Sequence, residues 1–263
     1  MQNQILKDIK AILEFYQALG FERLPINPPE FPYTPLLKRD NPPNPPLLKG
    51  GEGGLFIKGG LEGDFKGGHG GVIDKEAALN TLREEIGECK GCRLSKGRTN
   101  IVFGEGNPDA RLMFIGEAPG REEDMQARPF VGDAGMLLTR LIEKMGFKRE
   151  DVYITNIVKC RPPMNRDPEN DEIKRCRGFV ERQIEIINPE VIISLGRISA
   201  KTLIGDARLK LTAIRGNFFN YKGIPLMPTF HPAYLLRNPK DKWLTWNDAQ
   251  KVLERLKGSN GDK

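Results

Sequence analysis

Short apolar runs alternate with amphipathic segments along the last two thirds of the chain. Uninterrupted apolar runs predict buried strands, and apolar residues that recur every three or four positions predict helices. The predicted strands cover residues 111–115, 152–157, 191–195 and 224–229, with a further one inside 209–219 that bends at 215–217. The predicted helices cover residues 75–88, 134–145, 170–187, 197–204 and 242–256.

This alternation is typical of a parallel sheet whose right-handed crossover connections place helices on both faces. We therefore predict one α/β domain over residues 72–257. Parallel sheets of this kind bind ligands at the carboxyl ends of their strands. The segments that follow Ile115, Asn156, Leu195 and Thr229 are therefore the first candidates for a functional site.

The residues outside that domain differ in composition. Apolar residues at helical spacing within 1–25 predict an amphipathic helix that either packs on the domain or meets a partner. Residues 26–71 are rich in proline and glycine and bury too little apolar surface to fold, so we expect a disordered linker. Residues 258–263 are expected to form a disordered tail.

The charge balance favours a polyanionic partner only weakly. The chain has 41 Lys and Arg against 35 Asp and Glu, a net charge of +6 that fits a solvated surface equally well. The distribution is more informative, because basic residues cluster around the last two cysteines, where they could follow a phosphate backbone. They are Lys159, Arg161, Arg166, Lys174, Arg175, Arg177 and Arg182.

Four cysteines form the strongest motif. Cys89 and Cys92 make a Cys-x2-Cys pair, and Cys160 and Cys176 lie far along the chain, so together they offer a four-sulfur shell suited to an iron–sulfur cluster or to zinc. Disulfides or free thiols are the alternatives. The N-terminus lacks a secretory signal and no apolar run can span a bilayer, so we expect a reducing cytoplasm and no membrane. The absence of a second Cys-x2-Cys favours the cluster.

Acidic and aromatic residues follow the first strand. Glu117, Glu122, Glu123 and Asp124 crowd into one glycine-containing turn, which indicates either a ligand site or a solvated helix N-terminus. Further on, Phe130 would suit stacking on a planar ligand if it is exposed, whereas a core position is the usual alternative.

The later strands end in other candidates. Asn156 offers a donor and an acceptor side by side, which reading a base edge requires, or it simply caps a turn. His231 is the one histidine outside the linker and follows a strand end, where a catalytic role competes with a structural hydrogen bond. Leu235 and Leu236, followed by Arg237, form either an apolar wedge for a duplex or an ordinary helix face.

These motifs together resemble a known family. The segments GEAPGREED, RPFVG, TNIVKCRPPMNRDPENDE and HPAYLLRNP, with Cys-x2-Cys upstream, are similar in sequence and order to the family 4 uracil-DNA glycosylases, the iron–sulfur type of bacteria and archaea. The resemblance covers roughly residues 82–257 and does not include residues 1–71. Because five separated motifs match in order, it is far more specific than any one of them.

The resemblance implies a three-layer α/β/α sandwich with a short central parallel sheet and a structural [4Fe-4S] cluster on the four cysteines. It implies a repair enzyme that flips uracil out of single- or double-stranded DNA and hydrolyses its N-glycosidic bond, leaving an abasic site. It places the protein in the cytoplasm of a bacterial or archaeal cell, associated with the nucleoid. We expect a monomer, with the N-terminal region contacting a replication or repair protein.

The resemblance also implies roles for the candidate residues. Phe130 would stack on uracil, Asn156 would read its N3–H and O4, and main-chain amides around Glu117 and Ala118 would hold the remaining oxygen. His231, as a neutral donor, would stabilise the negative charge that develops on the leaving base. Arg161, Arg166 and Arg237 would contact phosphates, and Leu235 and Leu236 would enter the duplex.

The water-activating group stays open. Ala118 stands where better-known uracil glycosylases have an aspartate, so Glu117, Glu123 and Asp124 are candidates. We prefer Glu117 for holding the water or the backbone and Glu123 for shaping the pocket against the methyl group of thymine.

Two rival functions remain. One is a relative that binds or crosslinks uracil in DNA without turnover, although known crosslinking relatives carry a basic loop ending in histidine and residues 161–170 contain none. The other is a metal-stabilised nucleic-acid-binding module, which zinc on the same cysteines would fit.

Overall fold

The computed structural model describes residues 74–258, so the predictions for 1–25, 26–71 and 258–263 concern residues outside the described range, except for Gly258, which ends the last helix rather than belonging to a disordered tail. The helices are α1 Lys75–Ile86, α2 Arg121–Gln126, α3 Asp133–Lys144, α4 Asn170–Ile187, α5 Arg197–Ile204, α6 Leu211–Ile214, α7 Pro232–Arg237 and α8 Lys242–Gly258. The strands are β1 Glu105–Gly106, β2 Leu112–Gly116, β3 Tyr153–Asn156, β4 Val191–Leu195, β5 Phe219–Tyr221 and β6 Ile224–Thr229. Short 3₁₀ turns cover Arg93–Lys96, Arg149–Asp151, Pro163–Asn165 and Pro239–Asp241.

The strands form one sheet in the order β1-β3-β2-β4-β6-β5. The four inner strands are parallel, while β1 and β5 pair antiparallel at the two edges. Every residue of β2, β3 and β4 is buried, as expected for strands covered on both faces. The α/β class is confirmed, and the predicted parallel sheet is correct for its centre.

Helices cover both faces of this sheet. Leu82 of α1 and Ile184 of α4 belong to the apolar cluster on one face. Leu138 of α3 and Val252 of α8 belong to the cluster on the other. The domain therefore has the three-layer α/β/α arrangement.

The prediction for residues 209–219 was wrong. A strand with a bend was expected, but the segment forms α6 and only then enters β5 at Phe219. The edge hairpin explains the difference, because β5 and β6 are joined by Lys222 and Gly223, both at positive φ, as a type I′ turn requires. That two-residue loop fixes the register from Tyr221↔Ile224 outward to Phe219↔Leu226.

Three short elements were not predicted. They are β1, a two-residue edge strand, and the six-residue helices α2 and α7, each too short to show a hydrophobic period. Both helices matter, because they directly follow the turns after β2 and β6. Within the described range, no helix combines the length and the apolar character needed to cross a bilayer.

The sheet brings the predicted site segments to one edge. Gly116 ends β2 and is paired with Asn156, which ends β3. Thr229 ends β6 and is paired with Leu195 of β4. Since these strands are parallel, the turns that carry Glu117, Lys159 and His231 all leave the sheet on the same side.

Candidate active site

A cavity of about 530 Å³ lies at the carboxyl ends of β2, β3 and β6. Four segments that are distant in sequence contribute to it: the turn after β2, the loop before α3, the turn after β3 and the start of α7. Predicted residues lining it are Glu117, Ala118, Glu123, Phe130, Asn156, Arg166, His231 and Arg237. Its size suits one nucleotide-sized ligand.

Gly116 makes the floor of this cavity possible. A Cβ on Gly116 would lie 2.3 Å from Oδ1 of Asn156 and 2.5 Å from Cζ of Phe130, distances that no side chain can tolerate. The amide and the ring meet only because this position has no side chain. Phe130 is 6% exposed and packs into the core, which is the alternative to an exposed ring, and it also lines the cavity.

Asn156 is 1% exposed, and its Oδ1 has no hydrogen-bond partner among the described residues. A buried carbonyl oxygen without a partner is unfavourable by about 1–3 kcal/mol unless a ligand or water satisfies it. Because this carboxamide also lines the cavity, it is available to a ligand that carries both a donor and an acceptor.

His231 lies beside Phe130, with the ring centroids 5.6 Å apart. Its Nδ1 accepts a hydrogen bond from the Ala233 amide at 3.1 Å, so the proton of the neutral ring lies on Nε2. Burial lowers the pKa of His231 to about 4, which keeps the ring neutral at physiological pH. A side chain on Gly196, which has φ +91°, would lie 3.0 Å from the Cβ of His231, so this glycine also makes room for the site.

Glu117 belongs to a carboxyl pair that the sequence did not reveal. Burial, assisted by the charge of Asp167 and a hydrogen bond with it, raises the pKa of Glu117 to about 7. Asp167 in turn forms an ion pair with Arg197 at the start of α5. Glu117 and Asp167 both line the cavity, so a group that titrates near neutrality faces any ligand bound there.

Two other carboxylates of this turn, Glu123 and Asp124, accept hydrogen bonds from the main chain. Glu123 accepts hydrogen bonds from the amides of Gly120, Val131 and Gly132 at 2.9–3.1 Å and thereby holds the loop that carries Phe130. Asp124 is buried and accepts from the amides of Thr99 and Asn100. Since the lone pairs of both are engaged, Glu117 has the freest access to a ligand of the three candidates for activating the water.

The segment from Arg161 to Asn170, here called the arm, connects β3 to α4 and borders the cavity. Arg166 donates two hydrogen bonds to Glu172, at 2.9 and 2.7 Å, and Glu172 also accepts from the Glu169 amide at 2.7 Å. Arg93 reaches Glu172 from the cysteine-containing segment, 3.0 Å away. Arg166, predicted to contact phosphate, thus also pins the arm to α4, and Arg161 donates to Asn165 within the arm.

The four cysteines come together behind the arm. All are free, and all four line one small cavity. Their sulfurs accept hydrogen bonds from the Gly91 amide on Cys89, the Arg98 guanidinium on Cys160 and the Lys159 amide on Cys176, at 3.3–3.4 Å. Such donors stabilise thiolates. Among the described residues, no three His, Cys, Asp or Glu side chains are grouped closely enough to hold a metal ion, so the thiols are gathered without forming a coordination shell.

Lys159 links the cysteine site to the cavity. The expectation that it follows a phosphate backbone with the neighbouring basic residues was wrong, because its side chain has no exposed surface. It is fully buried, and its ammonium donates to Thr155 Oγ1, the Asn156 carbonyl and Gln183 Oε1 at 2.5–2.9 Å. Its own amide donates to Cys176 Sγ. One residue therefore touches both a sulfur and the backbone of Asn156. Its position directly after the apolar pair Ile157 and Val158 was the only signal for it in the sequence.

The two leucines predicted to contact DNA lie in different environments. Leu235 is 4% exposed, whereas Leu236 is 42% exposed. Of this pair, only Leu236 presents its side chain to solvent, next to Arg237 at the cavity rim.

The fold and cavity define an α/β/α protein with a large cavity at the carboxyl ends of its parallel strands. Comparison with known proteins identifies the kind of pocket. The family model of the uracil DNA glycosylase superfamily matches residues 103–257. The type-4 uracil-DNA glycosylase of Thermotoga maritima is 49% identical over 189 residues, which are 71% of this chain and 98% of that protein. Those of Saccharolobus solfataricus and Sulfurisphaera tokodaii are 50% and 46% identical, covering 68% and 67% of this chain and 86% and 84% of those proteins.

The chain therefore belongs to the uracil-DNA glycosylase superfamily, and within it to the type-4 enzymes. This confirms the family predicted from the sequence motifs.

The Glu172 network predicts a pH-dependent contribution to stability. The hydrogen bonds from Arg166 lower the pKa of Glu172 to about 2, below its ordinary value of 4.5, so the stabilisation is complete above about pH 4.5 and is lost as the pH falls through 2. We expect Glu172→Gln to lower the free energy of unfolding by on the order of 2 kcal/mol at pH 7, reduced by the partial exposure of Arg166. The gap between variant and wild type should narrow on acidification, as followed by urea unfolding from pH 7 to 3.

Glu181→Gln is the matched control, because Glu181 pairs with Arg177 on the exposed surface of the same helix. Its free energy of unfolding should stay within about 0.5 kcal/mol of the wild-type value. If the difference in free energy of unfolding between Glu172→Gln and wild type is the same at every pH, the ionised Glu172 network does not stabilise the arm.

Proposed function

We propose that the protein excises uracil from DNA by hydrolysing the N-glycosidic bond, the first step of base excision repair. Family membership supports the activity. The structural observation that carries it is the meeting of Phe130, the unpartnered carboxamide of Asn156 and neutral His231 in one cavity. An enzyme that acts on a base within DNA needs a pocket of this kind, because extrusion removes the base from its stack and its pairing partner.

Asn156 reads the base. Its Oδ1 accepts the N3–H of uracil and its Nδ2 donates to O4, which satisfies the buried oxygen that has no partner in the free protein. Cytosine presents an acceptor at N3 and a donor at the neighbouring position, so a fixed amide is left with two mismatched buried groups. Lys159 fixes the Asn156 backbone, which restricts the amide from adapting to cytosine.

Phe130 and the turn after β2 hold the ring. One side of the Phe130 side chain borders the cavity and supplies the stacking lost on extrusion. The main-chain amides around Glu117 and Ala118 hold the remaining oxygen of the base. Glu123 acts through the loop, because it fixes the amides of Val131 and Gly132 next to Phe130 and thereby shapes the pocket.

His231 stabilises the leaving group. Cleavage of the bond develops negative charge on uracil, and the Nε2–H of the neutral ring is free to donate to the oxygen that receives it. A preorganised donor of this type contributes about 3 kcal/mol to transition-state stabilisation. Because its pKa is near 4, the ring is already neutral at physiological pH and donates its Nε2 proton without first having to deprotonate.

Glu117 positions the attacking water. The positive charge that develops on the sugar demands little of its nucleophile, so orientation and a nearby carboxylate are sufficient. Asp167 and burial raise the pKa of Glu117 to about 7, which makes it a base matched to neutral pH.

Cys89, Cys92, Cys160 and Cys176 would hold a [4Fe-4S] cluster, which supplies a structural crosslink rather than redox chemistry. Their convergence on one cavity and the donors to three of the sulfurs support this assignment. With both ends of the arm tied to the same site, Arg161 and Arg166 contact phosphates at low cost in conformational entropy. Arg237 and Leu236 contact the DNA from the opposite rim, and buried Leu235 supports them from the core.

The Glu117 assignment predicts a pH profile. Because the ionised form is active, kcat/KM for uracil release from single-stranded DNA should rise about tenfold per pH unit below pH 7 and level off above it. Glu117→Gln should lower kcat by about 10²-fold and remove this ascending limb. Glu122→Gln, at the same cavity but exposed, is the control and should keep the wild-type profile. If kcat/KM of Glu117→Gln still rose with pH below pH 7 as in wild type, the titrating group would not be Glu117.

The close packing around Gly116 predicts that a small substitution there causes a large loss of activity. Gly116→Ala must displace Phe130 or Asn156, so we expect uracil release to fall about 10²-fold or more. Gly178→Ala in α4 is the matched control, because a Cβ there has no atom within 4 Å, and it should retain activity. Equal activity of the two variants would mean that the two side chains need not meet.

The cluster assignment predicts about four iron atoms per chain and a broad visible absorbance that bleaches on reduction. Cys160→Ala should lose the iron and lower both Tm and affinity for uracil-free DNA, since the arm is then tied at one end only. A zinc-stabilised module would be colourless and contain zinc. If Cys160→Ala retained Tm and DNA affinity, the cysteine site would have no role in holding the arm.

A further inference from the structure

Met164, in the middle of the arm, is the most anomalous apolar residue of the described range. Its side chain is 92% exposed, against 62% for Met125 and 42% for Leu236. Contact of water with a whole apolar side chain is unfavourable. Isolated exposed apolar residues are common, so exposure alone assigns no role.

The backbone at this position adds a second observation. Met164 has φ +53° and Asn165 φ +54°, two successive left-handed residues, of which only asparagine tolerates that conformation readily. Strained conformations of this type persist where the surroundings enforce them, and they concentrate at functional sites. The chain thus holds methionine at a turn tip where glycine or asparagine would be favoured.

The surroundings do enforce it. Pro162 and Pro163 precede the tip and restrict the backbone, and the amides of Asn165 and Arg166 bond back to their carbonyls at 3.1 Å. Arg166 is fastened to Glu172. Because the turn that carries Met164 is already rigid, its side chain can contact a partner with little further loss of backbone entropy.

The tip stands at the rim of the base pocket. Pro162, Asn165 and Arg166, which flank Met164, all line the cavity. Across the same cavity, Tyr234 and Arg237 line it and flank the exposed Leu236. Two segments from different parts of the sheet therefore each carry one exposed apolar side chain beside the opening.

We propose that Met164 is a wedge that enters the base stack of duplex DNA next to the extruded nucleotide. The proposal rests on the proposed function. Apolar side chains, methionine among them, insert between base steps and stabilise the unstacked duplex, and the unbranched, polarisable thioether adapts to different neighbouring bases. The wedge acts in extrusion from a duplex and not in bond cleavage, because a single strand has no paired stack to open.

The test compares uracil release from a duplex and from the single strand of the same sequence. The enzyme is in excess over the DNA but below the concentration that saturates binding. Met164→Ala should reduce the duplex rate about tenfold or more and leave the single-strand rate within about twofold. Met164→Leu, which keeps an apolar side chain, should recover most of the duplex rate. Met125→Ala removes an exposed methionine whose chain neighbours Asp124 and Gln126 do not line the cavity, so it is the matched control and should match wild type on both substrates.

Two outcomes would overturn the proposal: an unchanged duplex rate in Met164→Ala, or an equal loss on both substrates. The second would indicate a role in pocket structure, which a parallel fall in Tm would show. A fluorescent adenine analogue placed beside uracil should brighten on binding of wild type and brighten less with Met164→Ala. Failure of the proposed function itself is distinguishable, because wild type would then release no uracil from either substrate.

Discussion

The close approach of two strands' carboxyl ends is the constraint on which the site depends. Gly116 and Asn156 are register partners, and the absence of a side chain on Gly116 leaves the space that the Asn156 amide and the Phe130 ring share. Gly135 of α3 has a similar role, because a Cβ there would lie 2.0 Å from the Phe130 carbonyl oxygen. The ring is thus placed by contacts that admit no larger residue on either side, and its backbone is held at φ +51°. Packing at this distance gives the pocket a defined shape before any ligand arrives.

A second set of interactions joins the pocket to the cysteine site. Lys159 donates to the Asn156 carbonyl and, through its amide, contacts Cys176, while the arm between Cys160 and Cys176 borders the cavity. Burial lowers the pKa of Lys159 to about 7, because its ammonium group loses the hydration that favours the charged form. The segments that carry the cysteines and Asn156 are thus joined by direct hydrogen bonds, so a change at the cysteine site can displace Asn156.

The sequence predicted those features that follow from local pattern. The bounds of α4, α5, β4 and β6 match the predictions because their apolar residues repeat at helical or strand spacing over enough residues to define an element. The segment around α6 was misread because its fate is set by the hairpin to β6, a tertiary contact. The carboxyl-end rule correctly brought Phe130, Asn156 and His231 into one cavity. It could not find Asp167 or Lys159, because the role of each depends on a partner reached only through folding. Nor could it separate Glu117 from Glu123 and Asp124, whose lone pairs are assigned by three-dimensional contacts with main-chain amides.

A crystal structure of the protein bound to DNA that contains a fluorinated, slowly cleaved deoxyuridine would test the central claim most directly. The account predicts that the uracil ring lies in the cavity at the strand ends, against Phe130, with N3 and O4 bonded to the Asn156 carboxamide. It further predicts that Nε2 of His231 lies within hydrogen-bond distance of the remaining oxygen. A uracil that stays stacked in the DNA, or one that lies outside this cavity with Asn156 Oδ1 still unpartnered, would contradict the account.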